Sequence, residues 1–468
     1  MESYITEYLK LQRMVQLPKE TEVTDKLINK LIENHEKNLD RYKVLQGYYE
    51  GYAKIFEREK DEYKSNNKLK LDYASYIVDV FLGLFVGNPI TYTVSEEYQG
   101  IMEQLQEVFD LNDEQDENTE LAKMASIKGR GYEIVYLDEE SNICFNEVKP
   151  ENIILVYDDS IKPAPLFAIY FIKKKIEDKE VIDITLYTKE AIKHYTSDGG
   201  KLTQTDEETN FFQEIPVVEF LNNDEGIGDF ERVIPLIDAI NKAQSDTAND
   251  FEEFTDSILV LSGMPQADEE DLQMIKEDKI LLLDRKDGGQ AAEWLVKQIN
   301  DQATESYKNR LDRDIHKFAK VPNISDEAFA SNISGESMKY KLFTTDQVIV
   351  AKQRKFKSAI QRRIDLILKV LNLKGSTGDF TYRDVSIVFN DNKPYNELDN
   401  ITTVKACLDA GLSKTYSYGK LRDIDDIQEE IARQEQEKDA YAESFNKEVE
   451  DGQGIPGPTK EIRETAQE

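Results

Sequence analysis

Between Gly131 and Phe220 the chain carries six short runs rich in β-branched and aromatic residues, and no long helical pattern separates them. They read YEIVYLD, NICFNEV, NIILVYD, LFAIYFIKKK, VIDITLYT and IPVVEFL, punctuated by Asp, Gly, Asn and Pro. Apolar and polar side chains alternate along them, which marks half-buried strands. Parallel neighbours are usually joined by a helical crossover. The block therefore predicts antiparallel sheet and an α+β class, not a βαβ repeat.

Helical patterns flank the block. Residues 1–60 read as helices with polar joints, and the tyrosines at 42, 48, 49 and 52 beside Leu39, Leu45 and Phe56 read as packing groups. From Lys70, KLDYASYIVDVFLGLFVGNPITY reads as a helix stopped at Gly87-Asn88-Pro89 and followed by a short strand. A second long helix starts near Arg232. Along it Val233, Ile237, Ile240, Gln244, Thr247, Phe251 and Phe254 alternate in steps of four and three. That is the seam of helices packed at small angles, here with a polar middle, and it suits either neighbours in a ring or ordinary core packing. SILVLSG closes this helix. KILLLDRKDGGQAAEWLV then reads as two strands around a hairpin turn at Asp287-Gly288-Gly289, with Trp294 on the second strand. A helix over Asp301–Ala319 precedes Val321-Pro322.

The 468 residues suffice for two or three cores. With 93 acidic against 59 basic residues the net charge is −34, so the overall field repels nucleic acid. The distribution is uneven. From Met338 to Lys374 there are ten lysines and arginines against two aspartates. Here Ile349, Phe356, Ile360, Ile364, Ile367 and Leu371 mark an apolar helical face, and Lys352, Lys355, Lys357, Arg362, Arg363 and Lys369 occupy much of the rest. This positive face either neutralises the acidic remainder of the fold or meets phosphates or an acidic neighbour. The small polar stretch SNISGES just before it suits a hinge or loop tip. DLNDEQDENTE (110–120) carries six acids but lacks the glycine and closing glutamate of a calcium loop, and reads as a solvated turn. The last twenty residues read as an acidic disordered tail.

Chemistry-bearing motifs are scarce. Gly452, Gly454 and Gly457 spell G-x-G-x-x-G, but in an acidic tail, with Pro456 inside the motif and Pro458 beside it and no strand before it. There is no P-loop, no G-x-S-x-G, and His35, His194 and His316 stand apart from one another and from Cys144 and Cys407. The expectation is a non-enzymatic protein with no cofactor or metal. No apolar run reaches 18 residues, no secretory signal is visible, and two distant cysteines exclude a disulfide framework, which together predict a reducing cytoplasm and no membrane span.

Four segments together resemble the portal proteins of tailed bacteriophages, of the type found in siphoviruses of Gram-positive hosts. They are DVFLGLFVGNPITY (79–92), IKGRGYEIVYLDEESNICFNEVKPENIILVYDD (127–159), IPLIDAINKAQSDTANDFEEFTDSILVLSG (234–263) and ISGESMKYKLF (333–343). The likeness is collinear from about residue 20 to about 440.

The resemblance implies an α+β portal-type subunit. Its parts would be a wing over 1–230 with strands returning over 375–394, stem helices at 231–256 and 301–320, and a clip with a β-hairpin at 257–300. A tunnel loop at 321–337, a tunnel helix at 338–374, crown helices at 395–445 and the tail at 446–468 complete it. The family's role implies a ring, usually of twelve subunits, at the portal vertex of the virion capsid, assembled in the host cytoplasm. Its partners would be the terminase large subunit, the major capsid and scaffolding proteins, a head-completion adaptor, and double-stranded DNA held non-specifically in the channel. Asn323, Asp326, Phe329, Ser331, Asn332, Lys339 and Lys341 would line or flank the channel loop. Lys286, Asp287, Gly288 and Gly289 would form the motor-docking hairpin. The alternatives are a different structural adaptor or scaffold of the particle, and a hydrolase using paired carboxylates.

Overall fold

The strand block forms antiparallel sheet, as its alternation predicts, but divides between two sheets stacked face to face. The computed structural model describes residues 14–59, 65–176, 179–255, 258–262, 280–283, 291–295, 301–323, 335–373, 378–390, 397–419 and 430–434, with single positions 375, 392, 421 and 436. Two units divide the chain: residues 1–331 with 340–392, and residues 332–339 with 393–468.

In the first unit, β1 (Val15–Leu17), β5 (Ile153–Asp158), β6 (Pro165–Ile176), β7 (Lys179–Tyr187), β8 (Ala191–Asp198) and β9 (Lys201–Thr209) make a sheet in the order β1-β5-β6-β7-β8-β9. Neighbours are antiparallel except β1, which lies parallel to β5. The start of the chain thus contributes a strand where the sequence pattern suggested only helices. Strands β8 and β9 are also additions: their runs are mostly polar and give no apolar alternation, although Tyr195 and Leu202 pack on the core beneath α1. What makes them a hairpin is the turn, where Gly199 and Gly200 both take positive φ, at 57° and 85°.

A three-stranded sheet, ordered β10-β3-β4, is formed by β3 (Arg130–Leu137), β4 (Ile143–Val148) and β10 (Val217–Leu221). One face, with Tyr132, Ile134 and Val217, packs on Ile153, Leu155 and Ala168 of the large sheet. The other, with Val135, Phe145, Val218 and Phe220, enters the largest core, which is otherwise helical. That core gathers α2 (Tyr73–Val86), α3 (Gln99–Leu111), α4 (Glu114–Lys128), α5 (Ile234–Thr255), α6 (Asp301–Ala319) and α7 (Gly335–Leu373), while α1 (Asp25–Tyr49) covers the far face of the large sheet through Ile28, Leu31 and Ile32. β2 (Thr91–Thr93), just past the Gly-Asn-Pro stop of α2, pairs with β14 (Ser386–Val388), which falls within the 375–394 stretch where returning strands are expected.

Two expectations fail. Residues 110–120 are not a solvated turn: α3 ends and α4 begins within them, hinged at Asp113 with φ 48°. The acids fall on a helix, so Glu114 faces inward and is 3% exposed. KILLLDRKDGGQAAEWLV is not a simple hairpin either. β11 (Ile258–Ser262) lies between β12 (Ile280–Leu283) and β13 (Ala291–Leu295), parallel to the first and antiparallel to the second. The apolar run ILVL suits a central strand, and it separates two strands that a tight turn would have paired. Trp294 is on β13, as expected.

In the second unit, α8 (Glu397–Asp409) and α9 (Lys414–Tyr418) are joined by a turn with Gly411 at φ 81°. The Ser413 side chain caps α9 by accepting from the Tyr416 amide.

Candidate functional site

The helix α7 carries the chain's basic segment, and its surroundings decide what those charges do. The periodic residues Ile349, Phe356, Ile360, Ile364, Ile367 and Leu371 are all buried, as their spacing predicts. The cations between 352 and 369 are largely engaged inside the subunit. Arg363 is 0% exposed; its Nε donates to the Glu133 carboxylate at 3.0 and 2.9 Å, and its Nη1 to Glu114 at 3.1 Å and Asn118 at 2.8 Å. The guanidinium carbon also stands 4.5 Å from the Phe145 ring centroid. Burial opposes its charge, but the two carboxylates outweigh burial and hold it protonated. Tyr92 completes the cluster by donating to Glu114.

About three turns nearer the start of the helix than Arg363, buried Lys352 donates to Asp229, which also accepts from Ser126. Its ammonium lies 4.6 Å from the Phe81 centroid. Burial lowers the Lys352 pKa, and Asp229 works against that shift. Asp229 is placed by a close approach of backbones: Gly129 ends α4 at φ 86°, and a side chain on it or on Gly228 would collide with the facing carbonyl oxygens of Gly226 and Ile127. Further out, Lys355 pairs with Asp224, Lys357 donates to the Ile387 carbonyl, and Arg362 and Lys369 share Glu214. Of the two readings of this face, neutralisation of the acidic fold is the one the contacts match.

The first turns of α7 differ. Tyr340 is 76% and Phe343 60% exposed, and Lys341 is exposed beside them. Lys339 lies on the same helix. Asn323 ends the short stretch after α6, where Tyr76 donates to the Pro322 carbonyl at 2.9 Å. Asp326, Phe329, Ser331 and Asn332 lie outside the described residues, as do Lys286, Asp287, Gly288 and Gly289.

Helices α5 and α6 pack against each other, with Lys308 Nζ donating to Gln244 at 3.2 Å. The polar residues of α5 have a second use. Asn241, Ser245 and Asn249, one turn apart, accept the backbone amides of Leu71, Leu69 and Asn67 at 2.8, 2.9 and 2.7 Å. They hold an extended strap, residues 66–71, along the helix before α2 begins. On α6, His316 sits between the rings of Tyr73 and Tyr76, and Tyr73 donates to Asp312 at 2.6 Å. Burial holds the His316 pKa below its ordinary value, against Asp312.

Sequence reasoning missed the partners of Arg363. One signal was present: Glu133 is two residues from Val135 and so shares its core-facing side of β3. Glu114 gave none, because its segment read as a turn. Among the described residues no group of three or more His, Cys, Asp or Glu could hold a metal ion, and no helix is long and apolar enough to cross a membrane.

Comparison with known proteins adds the family. A family model described as phage portal protein, SPP1 Gp6-like, matches residues 28–444. The portal protein of Bacillus phage SPP1 is 23% identical over 400 residues, which cover 82% of this chain and 78% of that protein. Among solved structures, a chain from the neck of an empty GTA particle, computed with C6 symmetry, covers 74% of this chain and 88% of its own length, with a TM-score of 0.44 and 12% identity.

Proposed function

The chain belongs to the SPP1 Gp6-like family of phage portal proteins, and on that premise we propose that it assembles into a closed ring at one capsid vertex, through which the genome is packaged and ejected. The observation that carries this reading is the family match over residues 28–444, which spans both units. The ring is proposed to be non-enzymatic, a docking platform for a terminase motor that hydrolyses ATP and for head-completion proteins.

The charge distribution supports such a role. A channel that lets duplex DNA slide must not hold it, because a run of phosphate contacts would give tight, salt-dependent binding. A net charge of −34 per subunit disfavours that grip, and the pairing of Lys352, Lys355, Arg362, Arg363 and Lys369 with internal carboxylates removes half of the basic segment's ten cations from phosphate binding. Lys339 and Lys341, at the start of α7, are proposed as weak phosphate contacts.

Light scattering on the purified chain, with negative-stain imaging of the same peak, tests the reading. From a 54.0 kDa subunit a twelve-membered ring has a mass of about 650 kDa and a central hole, closed by symmetry. A chain that stays monomeric across concentrations and salts would overturn the ring.

A further inference from the structure

A cavity of about 60 Å3 is lined by α1, β1, β3, β5, β10 and residues 225–227, all within the first unit. A buried water needs about 10–15 Å3 of such space, so there is room for a few waters or one small molecule. Two guanidiniums stand in the wall. Arg41 donates from Nε and Nη2 to the Glu231 carboxylate, each at 2.7 Å, and from Nη2 to the Gly226 carbonyl at 3.1 Å. Arg130 donates from Nη1 to Glu219 at 3.0 Å. The backbone is fitted to them: Gly226 takes φ 61°, and a side chain there would come within 2.5 Å of Arg130 Nη2.

The acceptors of this wall are taken, and its donors are not. Glu219 accepts from Arg130, from Tyr132 at 2.9 Å and from Tyr157 at 2.7 Å, while Glu231 accepts from Arg41 and from the Gly228 amide at 3.0 Å. Arg130 Nε and His35 Nε2, by contrast, are buried without a hydrogen-bond partner. Tyr42 is 5% exposed, and its hydroxyl has no partner among the described residues. Nor has Arg41 Nη1. The charges of the two arginines and the two buried glutamates cancel, and Glu225, the remaining acid of the lining, is exposed. Burial lowers the His35 pKa, so its ring is neutral at pH 7.

We propose that this cavity binds a small monoanionic carboxylate, held by the free donors of Arg41, Arg130, Tyr42 and His35. Buried polar groups left unpaired in a folded chain call for an occupant. An ionised carboxylate only accepts hydrogen bonds, at about four lone-pair positions, and its two oxygens match the edge of a guanidinium. Water meets the need less well, because each molecule brings two donors of its own to a wall whose carboxylates are already bonded. A phosphate dianion fits less well again. The Born cost of burying an ion rises with the square of its charge, and the wall has no net charge to offset it. The cavity belongs to one subunit, so the inference stands apart from the ring.

The test is calorimetric titration of the full chain with sodium acetate at constant ionic strength, alongside acetamide as the uncharged match and inorganic phosphate as the larger anion. Acetate should bind saturably, phosphate more weakly and acetamide not at all. Tyr42→Phe removes a hydroxyl that has no partner in the protein, so its melting in chloride should equal the parent's while its acetate affinity falls about tenfold. Density maps of the unaltered chain in acetate should show a planar group beside Arg130, a readout that needs no variant. A tripeptide with a free C-terminal carboxylate separates the two sources of such a group. Binding tighter than acetate makes the ligand a polypeptide terminus, binding no tighter makes it a free acid, and either supports the site. No saturable acetate binding would overturn the proposal and leave the cavity to water, and so would equal affinity in parent and Tyr42→Phe. Tighter binding of phosphate, or acetamide bound as well as acetate, would overturn the carboxylate assignment.

Discussion

Arg363 is the residue on which the central core depends. Removing one partner of a buried ion pair leaves the other charge uncompensated, which costs about 3–5 kcal/mol. Arg363→Ala is therefore expected to lower the unfolding free energy measured by urea titration by that amount, the loss falling on Glu133 and Glu114 together; a loss below about 1 kcal/mol would mean that water fills the gap. Glu117 is the opposite case, a carboxyl whose charge is unwelcome. Burial, then the neighbouring Glu147 carboxyl, push its pKa up to about 8, and Glu117 Oε2 accepts the Glu147 amide at 3.0 Å. Unfolded, it would titrate near its ordinary value of 4.5. Between those values the folded chain binds the proton more tightly, so this group's contribution to stability is lost as pH rises from about 4.5 to about 8. Glu117→Gln keeps the acceptor and cannot ionise. Melting curves should show it more stable than the parent at pH 8, by on the order of 1 kcal/mol after solvent screening, with the two converging near pH 4.5. Neither residue announced its role in the sequence. Period alone placed the apolar face of α7 correctly, but which cations turn inward depends on carboxylates more than 100 positions away.

At the scale of elements, the α5 ladder does measurable work. Ser245→Ala leaves the Leu69 amide without its acceptor, a loss of about 1–2 kcal/mol. Removing Asn241, Ser245 and Asn249 together should release the strap, read out as faster proteolysis between residues 66 and 71 with α5 still helical by circular dichroism. Unchanged cleavage would show that the strap is held by its side chains instead. Elements with one clear period were legible: α2 with its Gly-Asn-Pro stop, α6 at its full extent, and the apolar strands. The hairpin β8–β9 was not, because its few apolar side chains, Tyr195 and Leu202 among them, set no alternation and only its two glycines mark the turn. The order of β11, β12 and β13 was hidden for another reason. Adjacency in sequence suggests pairing, and nothing local records that a third strand lies between.

For the whole molecule, family membership came through a collinear resemblance and no single motif, and the expected channel and docking residues were reached the same way, so physical reasoning from composition would not have found them. What the charge does show is how unevenly it is used. The subunit keeps a strongly negative total while drawing several of its cations inward against α7's neighbours. That arrangement has a consequence for synthesis. Glu133 is made 230 positions before Arg363. At roughly 5–20 residues per second, translation takes about ten to fifty seconds to cover that distance. Through this interval β3 holds a carboxylate facing a core that has no counter-charge, so it must stay hydrated or take up a proton. The sheet can pair early on the ribosome, but its helical side stays wet until the last third of the polypeptide arrives to close it.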